Sequence, residues 1–309
     1  MQLVGEFLNR GVRGKFQVES SIQLPLPDAL MGVEVEVDQD TSTEVTFPSD
    51  YYPEWQQKGD GSLVNGYEYV LSFPLAGNAL VSAIHKLYQE PTSVKRTFTG
   101  STHIHIDMMD NVSIDALRTL VLMTYALENI LYAAGDLSRQ WCGFANRLTS
   151  APSEMLEHIL AIEDVNTFHY NVNDIGRYYG LNLQALLKYG SAEFRYFPTA
   201  ESAEELLRWV KLVQLFKKAA MDVGTVDNLL SMFNTEQGYN DFLSTYFSDY
   251  PTEVEAIGGY MRMKALVNKA MIILKSKKNK KATNKYYTKA ILEGKFKGVL
   301  TNAVKRMNN

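Results

Sequence analysis

From Gly32 to Asp38 apolar and polar residues alternate strictly: Val33, Val35 and Val37 fall on one side, Glu34, Glu36 and Asp38 on the other. That period of two predicts a strand with one face on a core. Phe16–Leu24 alternates more loosely and stops at Pro25 and Pro27. The run from Lys58 to Ser62 reads as a turn, and Gly66–Phe73, Thr102–Met108 and Ser191–Phe197 read as further strands. Helical spacing dominates the second half. Ser113 is placed to cap a helix reaching about Ala134, with Leu117, Leu120, Val121, Tyr125 and Leu127 on its apolar side. Other helices are expected at Ala79–Tyr88, Ser153–Ile162, Glu201–Ala220, Val226–Phe233, Thr252–Leu274 and Asn284–Arg306. Strands followed mainly by helices imply an α+β fold.

The 309 residues, 46% hydrophobic and 21% charged, are enough for a sizeable core. No repeat or low-complexity linker interrupts residues 1–274, which read as one domain. The net charge of −4 conceals an uneven spread: Lys275–Arg306 holds ten Lys and one Arg against Glu293, about +10, leaving about −14 elsewhere. Residues 275–309 therefore read as a basic, helical tail. A solvated helix end is the plainer account of it, and nucleic acid or an acidic partner the functional one. Cys142 is the only cysteine, so an internal disulfide and a thiolate zinc site are excluded, and a buried packing role is expected for it. The first residues lack a basic region followed by an apolar run, and the apolar stretch at Leu117–Ala134 contains Arg118 and Glu128. A soluble cytoplasmic protein with no membrane association is expected.

Candidate chemistry sits on three strands, each with two polar groups at i and i+2: Glu34 and Glu36, His103 and His105, Glu193 and Arg195. Side chains two apart share a face. Singly, such pairs are commonly solvated faces or salt-bridged edges. Together on one sheet they would form a polar face over an apolar layer, and clustered carboxylates call for bound cations. Carboxylates with one or two imidazoles suit Mg²⁺ or Mn²⁺. The HxHxD run also occurs in metallo-β-lactamase-like hydrolases, but position 108 is Met where those continue with His. An amidohydrolase barrel would open with its HxH, and only His85, His158 and His169 remain here as partners. His85 and His158 fall in predicted helices and read as surface residues.

The order of motifs resembles the amidoligase family. Gly32-Val33-Glu34-Val35-Glu36 is similar to its GxExE opening. Asp60-Gly61-Ser62-Leu63 with Gly66–Leu75 resembles its DGS…GxEhhSxPL segment, and Ser101–Asp107 its THxHxD strand. Tyr179–Leu186 and Gly190–Phe197 resemble its asparagine-bearing segment and GTxEFR strand. The likeness runs over roughly Gly32–Leu215. Ser191-Ala192 and Phe73 depart from the pattern without removing a charged group, and the tail is not part of it.

The resemblance implies a glutamine-synthetase-like fold: a curved, mainly antiparallel sheet with helices packed outside and metal ions and ATP on its concave face. It implies an ATP-dependent ligase that joins a carboxylate to an amine through an acyl phosphate, forming an amide or isopeptide bond; the compact, tail-bearing form suggests a bacterial or phage enzyme. Glu34, Glu36, Glu68, His103 or His105, and Glu193 would hold two or more Mg²⁺ (or Mn²⁺) ions. Arg195 would meet the γ-phosphate or acyl phosphate, and Glu36 and Glu193 would serve the reaction with it. Arg139 and Arg147, flanking Trp141–Phe144, are candidates for phosphate contacts. Asn182, in a helix-like segment, either reaches the site or caps a helix. Asp60 reads as a turn former. The partners would be the two substrates, with the amine free or delivered as ammonia by a separate amidotransferase. The alternatives are a metal-dependent hydrolase using His103 and His105, and a non-catalytic nucleic-acid- or protein-binding module.

Overall fold

The computed structural model describes residues 2–8, 23–38, 53–59, 61, 63, 66–89, 96–97, 99–151 and 177–278. Among the described residues six strands form one sheet in the order β2-β3-β1-β4-β6-β5, with every pairing antiparallel. They are β1 Met31–Asp38, β2 Trp55–Gly59, β3 Gly66–Leu71, β4 Ser101–Asp107, β5 Leu181–Asn182 and β6 Ser191–Pro198. The helices are α1 Val4–Phe7, α2 Gly77–Leu87, α3 Ile114–Gly135, α4 Gln184–Tyr189, α5 Ala203–Val223, α6 Val226–Met232, α7 Glu236–Phe247, α8 Pro251–Glu255 and α9 Gly259–Lys278. The α+β class expected from the sequence is the class observed.

One face of the sheet carries the apolar members of each strand, Val33 and Val35 on β1, Ile104 on β4 and Phe194 on β6, all essentially inaccessible to solvent. Helices α3 and α5 pack on one another, α3 against β6 and α5 against β4. The Phe197 ring stacks on Trp209 of α5 at 5.0 Å between centroids, and the Trp209 indole donates to Ala134 O at 2.8 Å, tying the two helices together. A second tier, α6, α8 and α9, covers the far side of α3, which accounts for that helix being buried almost all round. Its start is fixed as the sequence implies: Ser113 Oγ accepts from Ala116 N at 3.0 Å.

Several expectations need correction. Lys58 and Gly59 end strand β2 rather than forming a turn; β2 buries only Trp55, so its sequence shows no alternation. Helix α7 had no sequence counterpart. The helix expected at Thr252–Leu274 is two helices, interrupted at Gly258, whose φ of 83° is left-handed, with Gly259 at φ 81° opening the second. Asn182 lies on β5, not in a helix. Cys142 is half-buried and unpaired, and His85 is half-buried on α2. Helix α9 continues through Lys278, past residue 274. The expected helices Ser153–Ile162 and Asn284–Arg306 lie outside the described residues, as do His158, His169, Asp60, Ser62 and all but the end of the Phe16–Leu24 strand. No helix of the described residues is long and apolar enough to cross a membrane.

A bulge in β6 sets Arg195 and Tyr196 together opposite His103, between the pairs Thr102–Phe197 and Ile104–Phe194. The extra residue lets Tyr196 and Phe197 both pack apolar surroundings while Arg195 stays beside Glu193. Tyr196 meets Tyr132 of α3 edge-on at 4.8 Å, and a Cβ on Gly180 would lie 2.3 Å from the Tyr196 ring. The ring is fully buried and has no room to retreat. Gly180→Ala is therefore expected to destabilise the fold by about 1–3 kcal/mol, read as a lowered urea midpoint; an unchanged midpoint would mean that this contact relaxes freely.

Candidate functional site

Register carries the polar pairs onto one face. Across the sheet, Lys58 opposes Glu68 and Glu68 opposes Glu36; Glu34 opposes His103; His105 opposes Glu193, and Glu193 opposes Asn182. Gly32 opposes His105, and a Cβ there would come within 3.2 Å of the His105 Cβ, so glycine leaves space for the imidazole. The cluster is largely shielded from water: Glu36, His103, His105 and Glu193 are buried, Glu34 and Glu68 half-buried.

Glu34 is its hub. Its Oε2 lies 3.1 Å from His103 Nδ1 and its Oε1 3.4 Å from His105 Nε2; the second contact is close but lacks hydrogen-bond alignment. Glu193 is held on both oxygens, by Arg195 Nη1 at 2.5 Å on Oε1 and by Asn182 Nδ2 at 2.5 Å on Oε2. Asn182 Oδ1 also accepts from Gln184 N at 2.9 Å at the start of α4, so this asparagine both orients Glu193 and opens a helix. Glu36 Oε2 accepts from the Ser101 hydroxyl, which lies 2.9 Å from His103 Nε2. Ser191 Oγ takes a similar place 3.1 Å from His105 Nδ1.

The electrostatics follow from this packing. Burial alone would raise Glu34, but the hydrogen bond to His103 and the close approach of both imidazoles outweigh it and hold the carboxyl well below the usual range. Glu193 is lowered likewise: burial opposes, and His103, His105 and Arg195 prevail. Burial would lower His105, yet the Glu34 carboxylate 3.4 Å away and the charge of Glu193 raise it. The raised His105 and the Arg195 guanidinium bring positive charge beside these carboxylates.

The donor set fits divalent cations. Glu34, Glu68 and His103 offer ligand atoms within 4.8 Å of one another, and so do Glu34, His105 and Glu193, the two groups sharing Glu34. Carboxylate oxygens with one imidazole per group match Mg²⁺ and, with the nitrogen donors, Mn²⁺.

The two candidate arginines separate. Arg139 lies near the cluster: it is buried, donates from Nη1 to Gly100 O at 3.0 Å, has no partner for Nε among the described residues, and feels the charges of Glu36 and Arg195. Arg147 does not. Its guanidinium is engaged by Glu128 at 3.1 Å, Gln140 at 2.5 Å, Thr149 at 3.1 Å and Asn129, and it lies over the Tyr132 ring. It neutralises a carboxylate that is buried on α3.

Ser101 and Ser191 escaped the sequence reading, although each stands two residues before a candidate ligand and so on the same face. The Phe144 carbonyl, which accepts from Arg195 Nε at 3.2 Å, carries no sequence signal at all.

The sequence matches no family model and no curated protein. Among solved structures it is similar to a bifunctional glutathione synthetase from Pasteurella multocida, with 14% identity and a TM-score of 0.37, over 80% of this chain and 47% of that one. The chain thus spans less than half the length of that protein, and a likeness this low leaves the activity to be argued from the residues.

A group whose proton is held more tightly in the folded chain stabilises the fold below its ordinary pKa and loses that contribution as pH rises through its raised value. His105 is such a group, with an ordinary value of 6.5. In chelator, the stability of the protein relative to His105→Gln is expected to fall as pH rises above 6.5, and Mg²⁺ or Mn²⁺ is expected to flatten that slope. Thermal melts across pH 6–9 check this, and a difference that grows with pH in chelator would contradict the ion pairing described.

Proposed function

We propose that the protein is an ATP-dependent carboxylate–amine ligase of the amidoligase type, built on a glutamine-synthetase-like sheet. The observation that carries this reading is the convergence, on one face of four adjacent antiparallel strands, of two cation-ligand groups sharing Glu34, with Arg195 and Arg139 beside them. Motifs in amidoligase order contribute Glu34, Glu36, Glu68, His103, His105, Glu193 and Arg195 to this face, and the rest of the reading follows from what those side chains do.

Glu34, Glu36, Glu68, His103, His105 and Glu193 are the residues to hold Mg²⁺ or Mn²⁺. With ATP bound they would neutralise the triphosphate, the chemistry needed for its γ-phosphoryl group to pass to a substrate carboxylate and for an amine then to displace phosphate from the acyl phosphate. Arg195 uses Nε and Nη1 on Phe144 O and Glu193, and its Nη2 makes no hydrogen bond to the described residues. That leaves a planar donor edge for a phosphoryl or acyl-phosphate oxyanion. A buried guanidinium with an unpartnered Nε, as in Arg139, supports a second anion contact. Asn182 acts through Glu193 by fixing its carboxylate. The amine is either free or delivered as ammonia by a separate amidotransferase, and the Lys-rich tail is open to a nucleic acid or acidic partner.

Calorimetry of ATP binding with and without Mg²⁺ tests this. ATP is expected to bind only with the metal, and Glu36→Gln and Arg195→Ala are each expected to weaken binding by about tenfold or more. No ATP binding at millimolar concentration would overturn the ligase reading; tight zinc at His103 and His105 in its place would favour the hydrolase.

A further inference from the structure

We propose that Phe144 and Tyr178 form the platform for the nucleobase of the bound triphosphate, a corner of two exposed rings held beside the phosphate-facing edge of Arg195. This rests on the nucleotide-binding part of the proposed function. It makes both aromatics binding residues for ATP that stand outside the cation centre.

Phe144 is 44% and Tyr178 40% exposed, and the two rings meet edge-on, with 5.8 Å between centroids and 69° between planes. Arg177 lies over the Tyr178 ring at 5.1 Å and donates from Nη2 to its hydroxyl at 3.1 Å. Single exposed aromatics are ordinary on a protein surface. A pair near a right angle is different: a planar group can stack on one ring while its edge meets the other.

Backbone bonds tie this corner to Arg195. Asn146 N donates to Tyr178 O at 2.7 Å, Gly180 N to Asn146 O at 2.9 Å, and Arg195 N to Gly180 O at 2.7 Å. The Arg195 side chain closes the circuit by donating from Nε to Phe144 O at 3.2 Å. The Tyr132 hydroxyl pins the next carbonyl, that of Ala145, at 2.6 Å. The rings therefore keep a fixed place beside the guanidinium, whose Nη2 makes no hydrogen bond to the described residues. The occupant follows from these two neighbouring chemistries. The cation groups and the Arg195 edge take a polyanion, and the corner takes a flat ring with a π-face. A nucleoside triphosphate carries both in one molecule, and the positive charge of Arg177 suits it further. An apolar side chain of a protein partner would cover the rings and leave the guanidinium edge unanswered.

The test is calorimetry on the full chain in Mg²⁺, comparing ATP with inorganic triphosphate, which has the phosphates and lacks the base. The wild type is expected to bind ATP about tenfold or more tightly than triphosphate. Phe144→Ala and Tyr178→Ala are each expected to weaken ATP about tenfold and leave triphosphate unchanged, and Phe144→Trp to keep the preference. Each substitution at Phe144 retains the carbonyl that Arg195 uses, and Arg195→Ala is expected to weaken both ligands. Equal binding of ATP and triphosphate by the wild type, or alanine variants with the preference intact, would overturn the platform and leave the ligase reading standing. Triphosphate weakened as much as ATP would also overturn it, since the rings would then act only through Arg195. If one alanine variant does not fold, the wild type and the other variant decide. Binding of neither ligand would overturn the platform and the ligase reading together. A ring-dependent preference in a protein that never converts ATP to ADP would support the platform while the ligase reading failed.

Discussion

The whole arrangement depends on keeping carboxylates ionised on a shielded sheet face. An isolated buried carboxylate would neutralise itself or unfold its surroundings. Here Glu34 meets an imidazole nitrogen on each oxygen, and Glu193 meets a guanidinium and an amide. Strand order makes this possible. With β1 between β3 and β4, Glu34 and Glu36 occupy the middle of the sheet, where neighbours approach from both sides. Gly32 clears the space for His105, and the helical layer of α3 and α5 holds the strands from behind.

The strands that bear the site were legible because each has one face on the core. Alternation exposed β1 at once, and β3, β4 and β6 by weaker versions of the same pattern. Strand β2 was not legible, since an edge strand that buries one tryptophan has no period to read. The break between α8 and α9 was hidden for the opposite reason: apolar spacing continues through Gly258 and Gly259, and only backbone conformation reveals the stop. The β6 bulge was invisible as well, because a one-residue slip between partners belongs to pairing and not to either strand's sequence.

Within the site, residues sharing a strand could be placed together from sequence and residues on loops could not. Arg139 and Arg147 flank the same tetrapeptide and look equivalent as letters. The structure places one near the cluster and the other on Glu128, a choice set by how the segment after α3 leans on Tyr132, whose hydroxyl donates to Ala145 O at 2.6 Å. Asn182 was misread because leucines around it imitate helical spacing, whereas its backbone pairs with β6. Ser101 could have been found by extending the period of two from His103 by one step. A serine attracts less notice than a charge, yet this one bridges Glu36 and His103.

The same balance explains how carboxylates can crowd one sheet face. His105 and Arg195 bring positive charge to the cluster, so Glu34 and Glu193 are not left bare. In the proposed ligase, a divalent cation entering the group of Glu34, His105 and Glu193 would compete with a proton on His105 and release it. Arg195 is anchored by Phe144 O and Glu193, which sets the orientation of its remaining edge. A ligand that brings its own negative charge would then meet a preset guanidinium and a centre whose positive charge can rise to match it, without moving a strand.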